Sequence, residues 1–414
     1  MLSTLLALAL VPQSVHIDGP LYPRQPGVVS VVRDGVSVAT DLPTIQAGLD
    51  LALDGDVLRL SGGRFAGPGN VDLVLSAALT FVGEGAQQTL VDGEGSSFFL
   101  QTDRDLEIEG MMVRRCIAGD GAAVHSTAGH VTLVEVVFED NEAGLRGGAV
   151  RVMESLDVTG CVFRRNRVAL AGLGGALTAY TVDARDCLFE ENVSLGRGGA
   201  MDVFEGNVTD CVFLRNEAAD FGGALTALFF VVLEIDRCTF LENTAGDTAG
   251  ALYFSVAFGA VTVSNSLIAR NVSGNGPALL GSRSTDVIGC TVVDNVRQTP
   301  GGAGGGGIVA SINTIYWNNR STAGSIFEQQ FDVTPGNTQF AYCNVEGSGV
   351  SLPTVLDDDP LFVDAASGNY RVQSSSPCVD AGFTASINLA QLDLDGTPRV
   401  KGPSADVGSY ERQP

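Results

Sequence analysis

The stretch from Cys116 to Asn319 repeats itself, and that repetition limits the possible folds more than any other property of the chain. Val137–Asn141, Cys161–Asn166, Cys187–Asn192, Cys211–Asn216, Cys238–Asn243 and Cys290–Asn295 align, and degenerate copies close at Cys116, Asn271 and Asn319. Successive ends fall 24 to 28 residues apart. A nearly constant period of this size signals a stack of small units, each burying its apolar face against the next.

Within a copy, apolar residues alternate in short runs. Leu106, Ile108, Met111 and Val113 occupy the slots of Val131, Leu133, Val136 and Phe138, and Leu156, Val158, Cys161 and Phe163 follow. Period-two alternation is a strand signal, and the one-residue slip inside each run marks a bend between two strands. A glycine-rich corner comes next, at Gly147-Gly148-Ala149, Gly174-Gly175-Ala176, Gly198-Gly199-Ala200 and Gly222-Gly223-Ala224. A leucine-rich horseshoe would need a leucine consensus and helical repeats a 3.6-residue pattern, and both are missing. The expected fold is therefore all-β: a right-handed parallel β-helix of roughly twelve turns, about 60 Å long at ~4.8 Å per turn. Thr44–Leu53 reads as a short N-terminal capping helix, and a turn-rich cap is expected at the C-terminal end. The parts are a signal peptide at 1–20, a strand and capping helix at 21–56, coils at 57–350 and the cap at 351–414.

In-register stacking turns each slot into a column. Phe138, Phe163, Phe189, Phe213 and Phe240 should stack inside the coil, and Asn141, Asn166, Asn192, Asn216 and Asn243 should form an amide ladder. The residue before each Asn alternates in sign: Arg115, Asp140, Arg165, Glu191, Arg215, Glu242, Arg270, Asp294. Opposite charges on adjacent strands attract and like charges repel, so this column should also guard the register. All three columns read as structural.

Acidic residues number 48 against 24 basic, a formal charge of -24. That balance excludes nucleic acid and anionic membrane surfaces, which need a cationic face. No apolar run reaches the ~18 to 20 residues that span a bilayer as a helix. The apolar start, Met1 to Val11, has the character of a signal-peptide core. Cys161, Cys187, Cys211, Cys238 and Cys290 share an inward slot whose Cβ spacing suits buried thiols better than disulfides. His16, His125 and His130 are too scattered for a zinc site, and no cofactor is expected. Asp357-Asp358-Asp359 and Asp393-Leu394-Asp395-Gly396 offer oxygen donors for calcium, yet neither completes an EF-hand loop, so solvated acidic loops are the expected reading.

Three resemblances follow from these motifs. The helix at Thr44–Leu53, with Val57–Leu60 and Gly62-Gly63-Arg64-Phe65, resembles the opening of secreted pectin-lyase-like β-helix proteins. The coils resemble the repeats of chlamydial polymorphic outer membrane proteins, which pair FxxN with GGA[ILV]. Phe138–Asn141, Phe163–Asn166, Phe189–Asn192 and Phe213–Asn216 match, with Met201 departing at the last apolar position of one copy. That family carries an autotransporter barrel, and no run of barrel strands precedes Pro414, so self-translocation is not expected. The tail resembles the choice-of-anchor Q domain, through Asp359-Pro360-Leu361-Phe362, Ser376-Pro377-Cys378, Asp393-Leu394-Asp395-Gly396 and Asp406-Val407-Gly408. These likenesses imply an extracellular, cell-surface or outer-membrane-associated protein.

Two functions remain. The first is a non-catalytic surface rod, adhesin-like or binding a glycan or another surface protein. Tyr180, Phe204, Phe229 and Phe254, with Met153, recur after the glycine corners and could present an aromatic strip to sugar rings. The alternative is a polysaccharide lyase or glycoside hydrolase. Hydrolysis needs a carboxylate pair, and elimination needs a base with charge neutralisation. Lys401 is the only lysine, and every charged column has an ion-pair explanation, so the binding reading is preferred.

Overall fold

The computed structural model describes residues 22–281, 284–322, 324–332, 339–349, 354–386 and 391–412. The expected signal segment 1–20 and His16 lie outside the described residues. The chain is an all-β, right-handed parallel β-solenoid of about 11 turns with almost no helix. It divides into two compact units, one ending at Val203 and the other beginning at Phe204. Among the described residues no helix is long and apolar enough to cross a membrane.

The first unit opens on an antiparallel hairpin, Val29–Arg33 with Val36–Leu42, and Val29–Arg33 also pairs antiparallel with Val57–Leu60. The hairpin thereby occupies an edge that a parallel stack would leave with unpaired backbone groups. The capping helix is shorter than expected, Ile45–Leu49, with the Thr44 hydroxyl accepting from the Ala47 amide. It stops because Leu51 and Leu53 find no apolar partner and stay exposed, while Asp56 accepts the Leu53 amide at 2.8 Å.

From Val57–Leu60 onward, strands pair in parallel, turn on turn. Corners are made at positive φ. One holds Arg115, Asp140, Arg165 and Glu191 at φ 50 to 54°. A second, the bend expected from the phase slip, holds Glu135, Gly160 and Asp186; a third holds Gly121, Gly147, Gly174 and Gly198. Residues other than glycine give up about 1–2 kcal/mol there, so strand pairing on both sides must hold the corner in place. Inside, Val113, Phe138, Phe163 and Phe189 are in register. Ring centroids stand 4.9 Å apart from Phe138 to Phe163 and again from Phe163 to Phe189. Asn166 donates to Phe138 O at 2.9 Å and to Asn192 Oδ1 at 3.0 Å, and accepts from the backbone and side chain of Asn141.

The charged corner is less regular than simple alternation. Arg165 Nε donates to Asp140 Oδ1 at 2.9 Å and its Nη2 reaches Glu139. Arg115, however, hydrogen-bonds Asp92 (Nη2–Oδ2 2.7 Å) rather than Asp140. Buried Asp92 also takes Arg64 at 3.2 Å and Arg114 at 3.1 Å. Tyr22 lies over Arg114, 3.7 Å from guanidinium carbon to ring centre, and donates to Glu139 at 2.9 Å. Burial alone would raise Asp92. Hydrogen bonds from Arg115 and the Glu94 amide, with the Arg114 charge, outweigh it and pull the carboxyl down to about 2. A depressed carboxyl contributes stability that is complete above its unfolded value and is lost as pH falls through the folded one. Asp92 is therefore expected to supply about 2 kcal/mol that disappears between about pH 4 and pH 2. Denaturant midpoints measured against pH should show this step in the native chain and not in Asp92→Asn.

The second unit continues the pattern. Phe213, Phe240, Ile268, Val292 and Tyr316 are in register, with Phe213 and Phe240 stacked at 4.8 Å. Asn216, Asn243, Asn271, Asn295 and Asn319 bond in sequence, and Gln330 Oε1 accepts the last two N–H groups at 3.1 and 2.9 Å. Gln330 closes the five-residue helix Ile326–Gln330, started by a Ser325–Glu328 capping box. The tail lies along the flank of these turns. Arg270, only 3.9 Å from Glu242, spends its other donors on the carbonyls of Ala365 and Ala366. Asp294 accepts from Tyr370 at 2.6 Å. Arg215, Glu242, Arg270 and Asp294 all keep the left-handed corner conformation. All eight cysteines are buried and unbridged, and burial pushes the Cys343 and Cys378 thiols up to about 11.

Candidate functional site

The aromatic strip does not form as one column. Tyr180 is 47% exposed, and Met153 and Phe229 are exposed too, whereas Phe204 is half-buried and Phe254 is only 1% exposed. Phe254 stands in register with Ala227 and points inward; opposite Phe229 stands Val256. Phe254 stands two residues after buried Leu252 and so falls on the inward side by strand alternation, whereas Phe229 takes a φ of 77° just before a register shift and is exposed. Strand Leu252–Ser264 thus carries Phe254 two slots before the position opposite Phe229.

A better-defined site lies on the outward face of the first unit. Thr80, Glu107, Thr132, Asp157 and Asp183 form one outward column, and His130, Ser155 and Thr181 another. Between Gly55 and Thr132 the surface opens into a groove of about 250 Å³ lined by Thr80, Asp105, Glu107, His130 and Thr132, with no lysine or arginine in its wall. The alternation of the strands fixes this arrangement: Leu106, Ile108, Val131 and Leu133 point inward, which sends their neighbours out.

His130 is clamped. Its amide donates to Asp105 Oδ1 at 2.8 Å, its ring Nδ1 meets Ser155 Oγ at 2.8 Å, and its Nε2 meets Asp157 Oδ2 at 3.1 Å. Both ring nitrogens are thereby engaged, which fixes the plane and position of the imidazole in the groove wall. Thr80 donates to Glu107 at 3.2 Å. The groove thus offers hydroxyls and carboxylate acceptors at fixed spacing, a set that suits hydrogen bonding to a polyhydroxylated ligand.

Further along the same strands, His125, Arg151 and Thr178 stack in register, with Arg151 paired to Asp120. Burial, then the Arg151 charge, holds the His125 imidazole below its ordinary range against the opposing pull of Asp120. Neither group was singled out as a site from the sequence. The only available signal was the period itself, since His130 and Ser155 are 25 residues apart and His125 and Arg151 are 26 apart.

The acidic triplets are organised by their own backbone. Asp357 accepts from the Gly347 and Gly349 amides at 2.6 and 3.0 Å, and Asp393 accepts from Asp395, Thr397 and Glu411. Among the described residues no group of three histidine, cysteine or acidic side chains is placed to hold a metal.

No protein-family model matches the chain, and no curated protein matches it. Among solved structures it is similar to pectate lyase Pel9A, with a TM-score of 0.51 and 12% identity over 95% of this chain and 96% of that one. The alginate lyase AlyGC is more distant, with a TM-score of 0.32 and 11% identity over 84% of this chain and 59% of that one. The first likeness establishes the pectate-lyase type of β-solenoid fold.

Proposed function

We propose that this chain is a secreted or cell-surface, non-catalytic β-solenoid that binds carbohydrate along the outward face of its first unit. The observation that carries the reading is the groove at His130, with hydroxyl and carboxylate groups at turn-by-turn spacing and a histidine fixed through both ring nitrogens. A repeating surface suits a repeating ligand, since each turn can meet one more unit of a polymer. The FxxN and GGA repeats and the tail motifs, through their resemblance to polymorphic outer membrane protein repeats and to the choice-of-anchor Q domain, support an exterior location. The wall's lack of cationic groups, on a chain of charge -24, weighs against polyuronates.

A glycan array followed by calorimetric titration tests this. Binding of a neutral oligosaccharide is expected, weakened about tenfold by Glu107→Gln, the loss of one good polar contact. An array with no bound glycan, or titrations that Glu107→Gln leaves unchanged, would refute it. Release of reducing ends or unsaturated uronate from a bound glycan would instead make the chain a hydrolase or lyase.

A further inference from the structure

The open groove of about 250 Å³ holds two carboxylates that no cation answers, Asp105 and Glu107. Asp105 Oδ1 accepts the His130 amide at 2.8 Å, and Glu107 Oε2 accepts the Thr80 hydroxyl at 3.2 Å. The second oxygen of each, Asp105 Oδ2 and Glu107 Oε1, takes no hydrogen bond from the described residues. Both side chains reach the surface, Asp105 exposed and Glu107 half-buried. They flank inward-pointing Leu106, so they leave the strand on the same side, about 7 Å apart along it.

Carboxylates with a structural task in this unit are matched by guanidinium groups. Asp56 has Arg33 at 2.7 Å, Asp92 has Arg115 at 2.7 Å, Glu139 has Arg164 at 3.2 Å and Asp140 has Arg165 at 2.9 Å. The groove departs from that habit. Of the arginines close in sequence to its wall, Arg104 is paired with Asp103 at 3.3 Å, and Arg59 stands opposite Val82, outside the wall. Asp54, beside Gly55, accepts the Ala78 amide at 2.9 Å and adds a further carboxylate next to the wall. Along the stack, Asp157 follows Glu107 two turns on, with Thr132 between them.

The chemistry of the wall narrows the ligand. Ionised carboxylates only accept, so the groove calls for donors. A sugar hydroxyl supplies one donor and leaves the charge standing; an ammonium supplies three and neutralises it. A metal ion is a poor match, since no group of three acidic, histidine or cysteine side chains forms among the described residues. Thr132 has a hydroxyl with no partner in the described residues, and Ala78 and Leu79 add apolar surface to the wall. A ligand with ammonium, hydroxyl and C–H groups on one ring meets all of these at once.

We propose that the groove selects an amino-sugar polymer, its ammonium groups seated on Asp105 and Glu107 and its hydroxyls on the neighbouring threonines. The inference rests on the carbohydrate reading above and names the class of sugar for that same groove.

The test is calorimetric titration of the full chain at about pH 5.5, where free amines are charged. The probes are the hexamer of glucosamine, the hexamer of N-acetylglucosamine and hexalysine. The glucosamine hexamer is expected to bind about tenfold more tightly than its neutral acetylated form. That preference should fall to about threefold or less in Glu107→Gln, vanish in Asp105→Asn combined with Glu107→Gln, and shrink with added salt. Glu217→Gln, at an exposed position of the second unit, should keep it whole. Equal binding of the two sugar hexamers by native protein overturns the inference and leaves carbohydrate binding standing. A preference that survives the double variant, or that Glu217→Gln lowers as much as Glu107→Gln does, overturns it as well, because net charge alone would be the cause. Hexalysine bound as tightly as the glucosamine hexamer also overturns it, since the groove would then read charge without the sugar. Absence of binding by both sugar hexamers overturns this inference and the carbohydrate reading together.

Discussion

Asn166→Ala is expected to destabilise the first unit by about 3–5 kcal/mol, read as a lowered denaturant midpoint. The side chain is fully buried and makes four hydrogen bonds. Truncation removes the acceptor for the Asn141 amide and side chain, and the donor for the Phe138 carbonyl and Asn192. Lost partners in a dry interior cost more than the average bond contributes, since the stranded groups have already left water. Asn166→Asp should fail as well: a carboxylate cannot donate to Phe138 O, and its charge would be buried. The control is Arg167→Gln, at the next, exposed position, expected within about 0.5 kcal/mol of native. A small shift for Asn166→Ala would mean that the stack of apolar side chains, rather than the amide column, holds neighbouring turns in register.

Arg399→Met should be comparably severe, and confined to the tail. Arg399 and Glu411 are each 1% exposed and meet at 3.2 Å. The guanidinium also donates to Asn265 Oδ1 at 3.1 Å and to the carbonyls of Asp406 and Gly408. Breaking a buried pair from one side typically costs about 3–5 kcal/mol, because the remaining carboxylate has no counter-charge. Burial already pushes Glu411 up to about 6, so ionisation of that group opposes folding even with Arg399 present. For a raised carboxyl the folded state holds the proton more tightly, so this group's contribution weakens as pH rises from about 4.5 to about 6. Limited proteolysis should therefore release the segment from 391 onward in Arg399→Met while the coils persist. Arg399→Met combined with Glu411→Leu should recover part of the loss, since an apolar pair leaves no charge stranded. An unclipped tail in the single variant would show that Tyr370 and Ser409, bonded to Asp294 at 2.6 Å and Thr291 at 2.9 Å, hold it unaided.

The sequence states some of this plainly and some not at all. Strand, bend and corner are legible because each turn repeats the same local sterics: Phe163 is inside for the reason Phe138 is. The amide column is legible for the same reason. What depends on single turns is not. Phe254 follows its glycine corner much as Tyr180 does, yet it stands two residues after Leu252 where Tyr180 stands three after Leu177, and strand alternation sends it inside. Leu51 and Leu53 continue a helical pattern but have nothing to pack against. Arg270 and Asp294 alternate in sign as the column demands, and then bond to a tail that has no period from which its path could be read. The groove escaped notice because Thr80, Glu107 and His130 are unremarkable one at a time and meet only through stacking.

The asparagine column also has a direction. Each amide hands its N–H groups to the next member, and in the second unit Gln330 receives the last of them. Every internal member presents the same face upstream and downstream, and only the terminator is specialised. Duplication or excision of one whole period should therefore leave both the entry hairpin and the terminator undisturbed. Length in such a protein is a quantity that recombination can adjust in steps, without the fold having to be reinvented.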